Sequence, residues 1–412
     1  MTLQGKKTND KRYNIFILSC VFLYVLMMGS KNAYTAEIVA IQGIFMATKA
    51  QVSLAMTYYF IVYAIGHVLL MLFISKINII IYLSITTALS SILTVLIGFA
   101  PSLEFIYAVC AVNGALQAGV YAGCMGLLAK YLPTRLLPRA NTIMSIGSAS
   151  ASVISYGVPA LCLSIGRWNL PFILLGVLFF ISVAFFVFGC RLVKNMYKSE
   201  NNDDLLENKN KNEQSMAKPD KKTVISFFAF AIFLTIISNV LYYAIMNYIP
   251  NLLKDVHGMP DNVSVLITLV VPLFSVIGSF MSISICEKVK NYYSVSLVFF
   301  TLSAIVIGLV TLLYSSSVVL TIILLVFYII LSVAGRAVFS GIMAFKMKKM
   351  INPGVYSAGT NAFAAVVAGV IPPLSGNLID SMGWNTLFIS LTIGCLLLSA
   401  ILLISTVRFN KK

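Results

Sequence analysis

The sequence predicts an all-α membrane protein, with twelve transmembrane helices arranged as two six-helix pseudo-repeats. Three observations predict it. Hydrophobic residues make up 59 % of the 412 residues, charged residues only 10 %, and the mean hydropathy is +0.95. Soluble domains carry about 25 % charged residues, so a soluble enzyme and a nucleic-acid-binding protein are both excluded. Apolar runs close to the ~20 residues that cross a bilayer recur along the whole chain. One long polar stretch, 194–222, separates six such runs from six more.

In order, the runs fall at 14–40, 52–75, 79–100, 104–129, 140–165, 170–190, 223–250, 262–285, 294–314, 318–345, 355–379 and 385–407. The first is too long for the apolar core of a cleavable signal and lacks a small-residue cleavage site, so it reads as a retained helix. Continuous runs of this length rule out a porin-type barrel, whose strands alternate over about ten residues. No segment resembles the selectivity-filter loop of a channel. The stretch 194–222 includes Glu200-Asn-Asn-Asp-Asp204, mixes both charge signs and has little apolar content, so a mobile cytoplasmic linker is expected there. The expected domains are a bundle over 1–193, the linker 194–222, and a second bundle over 223–412.

The net charge of +16 is a matter of placement. With the N-terminus inside, 24 of the 29 Lys and Arg fall on the cytoplasmic side, among them Lys6, Lys7, Lys11 and Arg12 in the N-tail and Lys346, Lys348 and Lys349 after span 10. Only Lys49, Arg167 and Lys254 fall in outer loops. By the positive-inside rule this predicts an even number of spans, both termini in the cytoplasm, and a cytoplasmic-membrane location. The seven cysteines lie within or at the ends of spans without a CxxC pair, and there are two histidines. Neither a disulfide nor a metal site is expected.

A faint internal repeat supports two related halves. Lys130-Tyr-Leu-Pro133 precedes span 5 as Met350-Ile-Asn-Pro353 precedes span 11, and Asn141 matches Asn361 at the same offset. A six-plus-six chain of this kind is the pattern of carriers that rock two bundles around a midplane site.

Ionisable residues inside spans are costly and mark where function is expected. Lys31 lies about 27 Å into span 1 by the helical rise, with Tyr24, Met27, Tyr34 and Thr35 as helical neighbours. It reads as a cationic anchor for an anionic solute, as one half of a structural ion pair, or as an interfacial lysine. Arg336 follows Gly335 in span 10 and offers a planar donor fork suited to a carboxylate or phosphate. Its other reading is a packing arginine bonded to backbone or to an acid. Glu37 is the only acid well inside a span, on a different face from Lys31. It is a candidate for proton coupling, for a partner of Arg336, or for a structural pair near the outer mouth. So few buried acids count against a cationic cargo.

Uncharged polar stripes complete the candidate site. Span 2 shows Tyr59, Tyr63 and His67, and span 4 shows Asn113, Gln117 and Tyr121, each at four-residue spacing. Span 7 shows Asn239, Tyr243 and Asn247 with Tyr242 beside them, and span 5 carries Ser145, Ser148, Ser152 and Ser155. Each stripe faces one direction. Such residues bind solutes, but they also glue membrane helices together. His67 is either a proton relay or a packed histidine.

Several segments resemble a known family. Arg12-Tyr-Asn-Ile-Phe16 through Ser30-Lys31-Asn32, Asn239-Val-Leu, Tyr248-Ile-Pro250-Asn-Leu-Leu-Lys-Asp255, Glu287-Lys288-Val289, Ala358-Gly359-Thr360 and Asp380-Ser-Met-Gly-Trp384 carry the likeness. The chain resembles the major facilitator superfamily and, within it, the organophosphate:phosphate antiporters. That resemblance implies a twelve-helix transporter working by alternating access, with Lys31 in its cavity. The first basic residue of the family's pair is Ser30 here, its second cavity arginine falls at about Tyr242, and the acid of span 7 falls at Asn247. Its span 5 histidine falls near Ser150 or Ser152, and the loop motif after span 2 is reduced to Ser75-Lys76. Losing two arginines removes the forks expected for a phosphate ester.

The expected function is therefore secondary transport of a small organic anion or zwitterion, a carboxylate or amino acid, held by Lys31 and Arg336. An exporter of amphipathic compounds and a transporter-like sensor remain as alternatives. The expected partners are the solute, a proton or counter-anion, and the bilayer. No cofactor, metal or nucleic acid is expected, no nucleophile–base pair suggests an enzyme, and the chain is expected to act as a monomer.

Overall fold

Helix α1 spans Leu3–Ile44, α2 Lys49–Phe73, α3 Ile79–Ile97, and α4 Leu103–Gln117 continued by Val120–Tyr131. Helix α5 spans Leu137–Ser164, α6 Leu170–Glu200, and α7 Lys221–Met246 continued by Ile249–His257. Helix α8 spans Asp261–Thr268 and Val270–Lys288, α9 Tyr292–Leu313, and α10 Val318–Ala337 ending in a π-helical turn at Val338–Ile342. The last helical run, Pro353–Asn410, is broken at Gly383 (φ 81°, ψ 173°), which divides it into α11 (353–382) and α12 (384–410). That backbone conformation is open to glycine and strained for other residues. These assignments come from a computed structural model, which describes residues 3–73, 77–133, 136–200, 221–289, 291–343 and 353–410. Of the expected linker 194–222, residues 194–200 instead continue helix α6 and 221–222 open α7; residues 201–220, Ser75-Lys76, Lys346 to Lys349, and the side chains of Asn141, Ser145 and Ser148 lie outside the described residues.

Ten helical stretches among the described residues are long and apolar enough to cross a membrane. One of them, Gly359–Arg408, contains the break at Gly383 and so holds two crossings, while α5 contributes a shorter apolar stretch at Ser150–Ser164. Twelve membrane-crossing helices result, as the run lengths predict.

Local chemistry sets the ends. The Asn78 side chain accepts from the backbone N–H of Ile80 and Ile81, and Ser102 accepts from Phe105, so α3 and α4 start on capped turns. Pro250 has no N–H to give, so α7 breaks just before it, and Tyr248 stands at the break.

Helix α3 turns its polar side chains inward. On α3, Thr87, Ser90, Ser91 and Thr94 are buried, while Ile81, Ile85, Leu89, Ile92 and Leu96 form an exposed stripe. Water would not tolerate that stripe, but hydrocarbon does. Two buried clusters fill the first six helices, and one large cluster, from Ala231 to Leu402, fills the last six.

Close helix approach is made at two related places. Helices α2 and α4 meet at Gly114, where a Cβ would run into the backbone carbonyl of Tyr59. Helices α8 and α10 meet at Gly278, where a Cβ would run into the carbonyl of Ile330. We expect Gly114→Val to destabilise the protein by about 1–3 kcal/mol or more, because backbone gives way less readily than side chains. An unchanged thermal midpoint would contradict this packing.

Candidate functional site

The two sets of six helices face one another through α2 against α11 and α5 against α8. Among the described residues, polar contacts between them cluster at the end of the molecule where α1 joins α2 and α11 joins α12. There Lys49 Nζ lies 3.1 Å from both Asp255 and Asp380, and its backbone N–H donates to Asp380 at 3.0 Å. The Trp384 indole N–H donates to Asp255 at 3.3 Å. One turn inward, Tyr248 OH shares a 2.6 Å hydrogen bond with Ser53 Oγ and donates to the Pro372 carbonyl. Asn251 donates to Gln42, and Thr57 donates to the Gly369 carbonyl. We call this cluster the clasp.

Inward of the clasp lie two adjoining cavities. The larger, about 340 Å³, is walled from the first six helices by Tyr24, Lys31, Tyr59, Phe60, Tyr63, His67 and Tyr121, and from the last six by Tyr243, Asn361 and neighbouring alanines. The second, about 280 Å³, is lined by Asn239, Tyr243, Ser279, Arg336 and Asn361. Tyr243, Asn361 and Ala364 line both, so the cavity that holds Lys31 and the cavity that holds Arg336 adjoin across shared walls. Among the described residues, no carboxylate lines either cavity.

Aromatic rings stand beside both cations, and an amide stands beside Arg336. The Lys31 ammonium lies 5.2 Å from the Phe60 ring centre and 5.9 Å from that of Tyr59. Arg336 donates to Asn239 Oδ1 at 3.0 Å and stacks over Tyr242 at 4.0 Å. Aromatic faces attract a cation without neutralising it.

The remaining predicted residues sort by location. Tyr63, Tyr121, His67 and Tyr243 line the larger cavity, and Asn239 lines the second. Asn113, Gln117 and Tyr34 line only a void of about 20 Å³ behind Lys31. Gln117 donates to Ser90, Ser90 donates to Asn113, and Tyr59 OH donates to Gln117 at 2.7 Å. This closed network fixes the ring of Tyr59. Tyr34 is buried and donates to the Val52 carbonyl. Asn247 is buried at the break in α7, and Tyr242 contributes through Arg336.

Glu37 does not pair with Arg336. It is buried at the seam where α1 meets α5 and α8, beside the cluster of Ala36, Tyr156, Ala160 and Val265, and interacts electrostatically with Asp261. Neither of its carboxylate oxygens has a hydrogen-bond partner. Glu37 is six residues beyond Lys31, and six steps of about 100° put it on a different face of α1; it lines neither cavity. His67 is held by a 2.6 Å hydrogen bond between Nδ1 and the Ala118 carbonyl.

The clasp was not legible as a site in advance. Lys49 reads as an outer-loop lysine, yet it opens α2 and is 8 % exposed. All seven cysteines are free and buried, and no group of His, Cys, Asp or Glu among the described residues is placed to hold a metal.

Twelve membrane-crossing helices in two facing sets, with a polar chamber between them, define a membrane carrier. The family model described as Major Facilitator Superfamily matches residues 19–368. The chain belongs to the major facilitator superfamily and is a secondary transporter, not an enzyme. The match reaches the superfamily and not the organophosphate branch that the sequence resembles. Among solved structures, a bacterial homologue of the human lysosomal transporter Spinster, inward-facing and unoccupied, is similar with a TM-score of 0.75 at 13 % identity, over 97 % of this chain and 98 % of that one. A D-xylose–proton symporter gives 0.71 at 11 % identity, over 94 % and 96 %. The nucleoside transporter NupG gives 0.67 at 12 % identity, over 94 % and 99 %. At these identities the likeness bears on fold alone. No curated relative matches the sequence.

Proposed function

We propose that this transporter carries a small organic anion or zwitterion across the cytoplasmic membrane, bound between Lys31 of α1 and Arg336 of α10. One observation carries the reading: the two cations line adjoining cavities, and no carboxylate among the described residues lines either. A cation left at membrane depth is costly, and an anionic cargo offsets that cost only while it is bound. Arg336 supplies a fork for a carboxylate, and Lys31 supplies a point charge. The asymmetry of Lys and Arg supports cytoplasmic termini, and in that orientation the clasp is the outer gate, closed in this conformation. Transport then requires the clasp to part.

The test is thermal unfolding of the purified protein against a panel of carboxylates, amino acids, phosphate esters and organic amines. A bound ligand raises stability by RT ln(1 + [L]/Kd), about 2.7 kcal/mol at a hundredfold excess over Kd. We expect carboxylates or amino acids to raise the midpoint and amines to leave it unchanged. Stabilisation by amines alone would overturn the reading.

A further inference from the structure

The walls of the larger cavity also bear on the body of the cargo. On α2, Tyr59, Tyr63 and His67 form a column of near-parallel rings. The Tyr59 and Tyr63 centres are 5.9 Å apart with planes 20° apart, and the Tyr63 and His67 centres are 5.9 Å apart with planes 17° apart. The column is pinned at both ends to α4. Tyr59 OH donates to Gln117, and His67 Nδ1 must donate to the Ala118 carbonyl, because a carbonyl oxygen only accepts. Across the same space, Tyr24 and Tyr121 pack at 5.2 Å.

The opposite wall is different. Helix α11 presents Ala362, Ala364 and Ala365, and α7 adds the ring of Tyr243. A wall of fixed rings facing a wall of methyl groups leaves a slot whose aromatic surface is already ordered. Binding to it immobilises few protein side chains. Aromatic partners favour offset or edge-to-face contacts at the centroid spacings this column offers. Lys31 stands at the Tyr59 end, over the rings of Tyr59 and Phe60.

We infer that the cargo is an aromatic or heteroaromatic carboxylate, with its acid group at Lys31 and its ring against Tyr63 and His67, covered from the other bundle by Tyr243. The inference rests on the anion reading above and adds the class of the apolar body. It also gives the buried Ser90–Asn113–Gln117 network a purpose, since that network holds one end of the ring column in place.

The test uses the full chain in detergent and two pairs of acids matched in charge and carbon skeleton: benzoate against cyclohexanecarboxylate, and phenylpropionate against cyclohexylpropionate. Affinities are taken from ligand-dependent thermal unfolding. The aromatic member of each pair should bind at least about tenfold more tightly, which is ~1.4 kcal/mol. Tyr63→Leu should bring each pair to within about twofold by weakening the aromatic member, and Tyr63→Phe should keep the preference, which separates loss of the ring from loss of fold. Equal affinity within both pairs, or an unchanged preference in Tyr63→Leu, would overturn the inference while the anion reading stands. Binding of none of the four acids would also overturn the inference, and the broader panel above then decides the anion reading by itself.

Discussion

Lys31→Met should abolish the stabilisation that carboxylates confer and reduce uptake into proteoliposomes to background. Methionine keeps the length of the chain and its contact with Phe60 and Tyr59, so the cavity keeps its shape while the ammonium is lost. Removing one partner of a desolvated charge pair costs about 2–5 kcal/mol of binding, so Kd should rise roughly a hundredfold or more. The unliganded variant should be as stable as the native protein or more so, because its lysine is held by ring faces and no acid lines the cavity. Opposite movements of the two quantities, affinity down and intrinsic stability level or up, are the expected result. Native-like Kd in Lys31→Met would remove the anion site.

The second large effect is expected at the clasp. Lys49 Nζ bridges Asp255 and Asp380, whose side chains are 34 % and 24 % exposed against 11 % for the lysine. Lys49→Ala leaves the two carboxylates facing one another at the end where the bundles touch. Hydrogen bonds to charged groups contribute about 1.5–3 kcal/mol each, less where water screens them. One such loss is enough to move the balance between closed and open ends by about tenfold. Met46, at the turn after α1, and Met382, beside the Gly383 break, are both exposed and sit on opposite bundles. Spin labels at those two positions should report a longer-distance population in Lys49→Ala that the native protein lacks. An unchanged distance distribution would show that Lys49 does not hold the gate.

Much of this fold was legible because hydrocarbon imposes a simple rule: a helix must be about twenty residues long and apolar. The breaks at Pro250 and Gly383 adjust the ends of helices without changing their number. Lys31 and Arg336 were legible for the same reason, since a charge inside an apolar run stands out. Direction was harder to read than composition. The four-residue spacing of Asn113 and Gln117 says that they share a face, but not that Ser90 of α3 occupies it. The same spacing on α2 reads as a polar stripe, yet its rings stack on one another. The clasp was hidden by distance along the chain, because Lys49 and Asp380 are 331 residues apart. Asp255 and Asp380 do fall within two of the segments that carry the family resemblance, and this was the only advance sign that those ends converge.

The central claim is that one anion sits between Lys31 and Arg336 in a chamber shared by the two bundles. The most direct measurement is the anomalous signal of bromine in crystals soaked with a brominated analogue of the carboxylate that stabilises the protein most. The account predicts one strong peak inside the chamber, between Tyr63 and Tyr243, that disappears when Lys31→Met crystals are soaked. A peak on the lipid-facing surface, or an undiminished chamber peak in the variant, would contradict it.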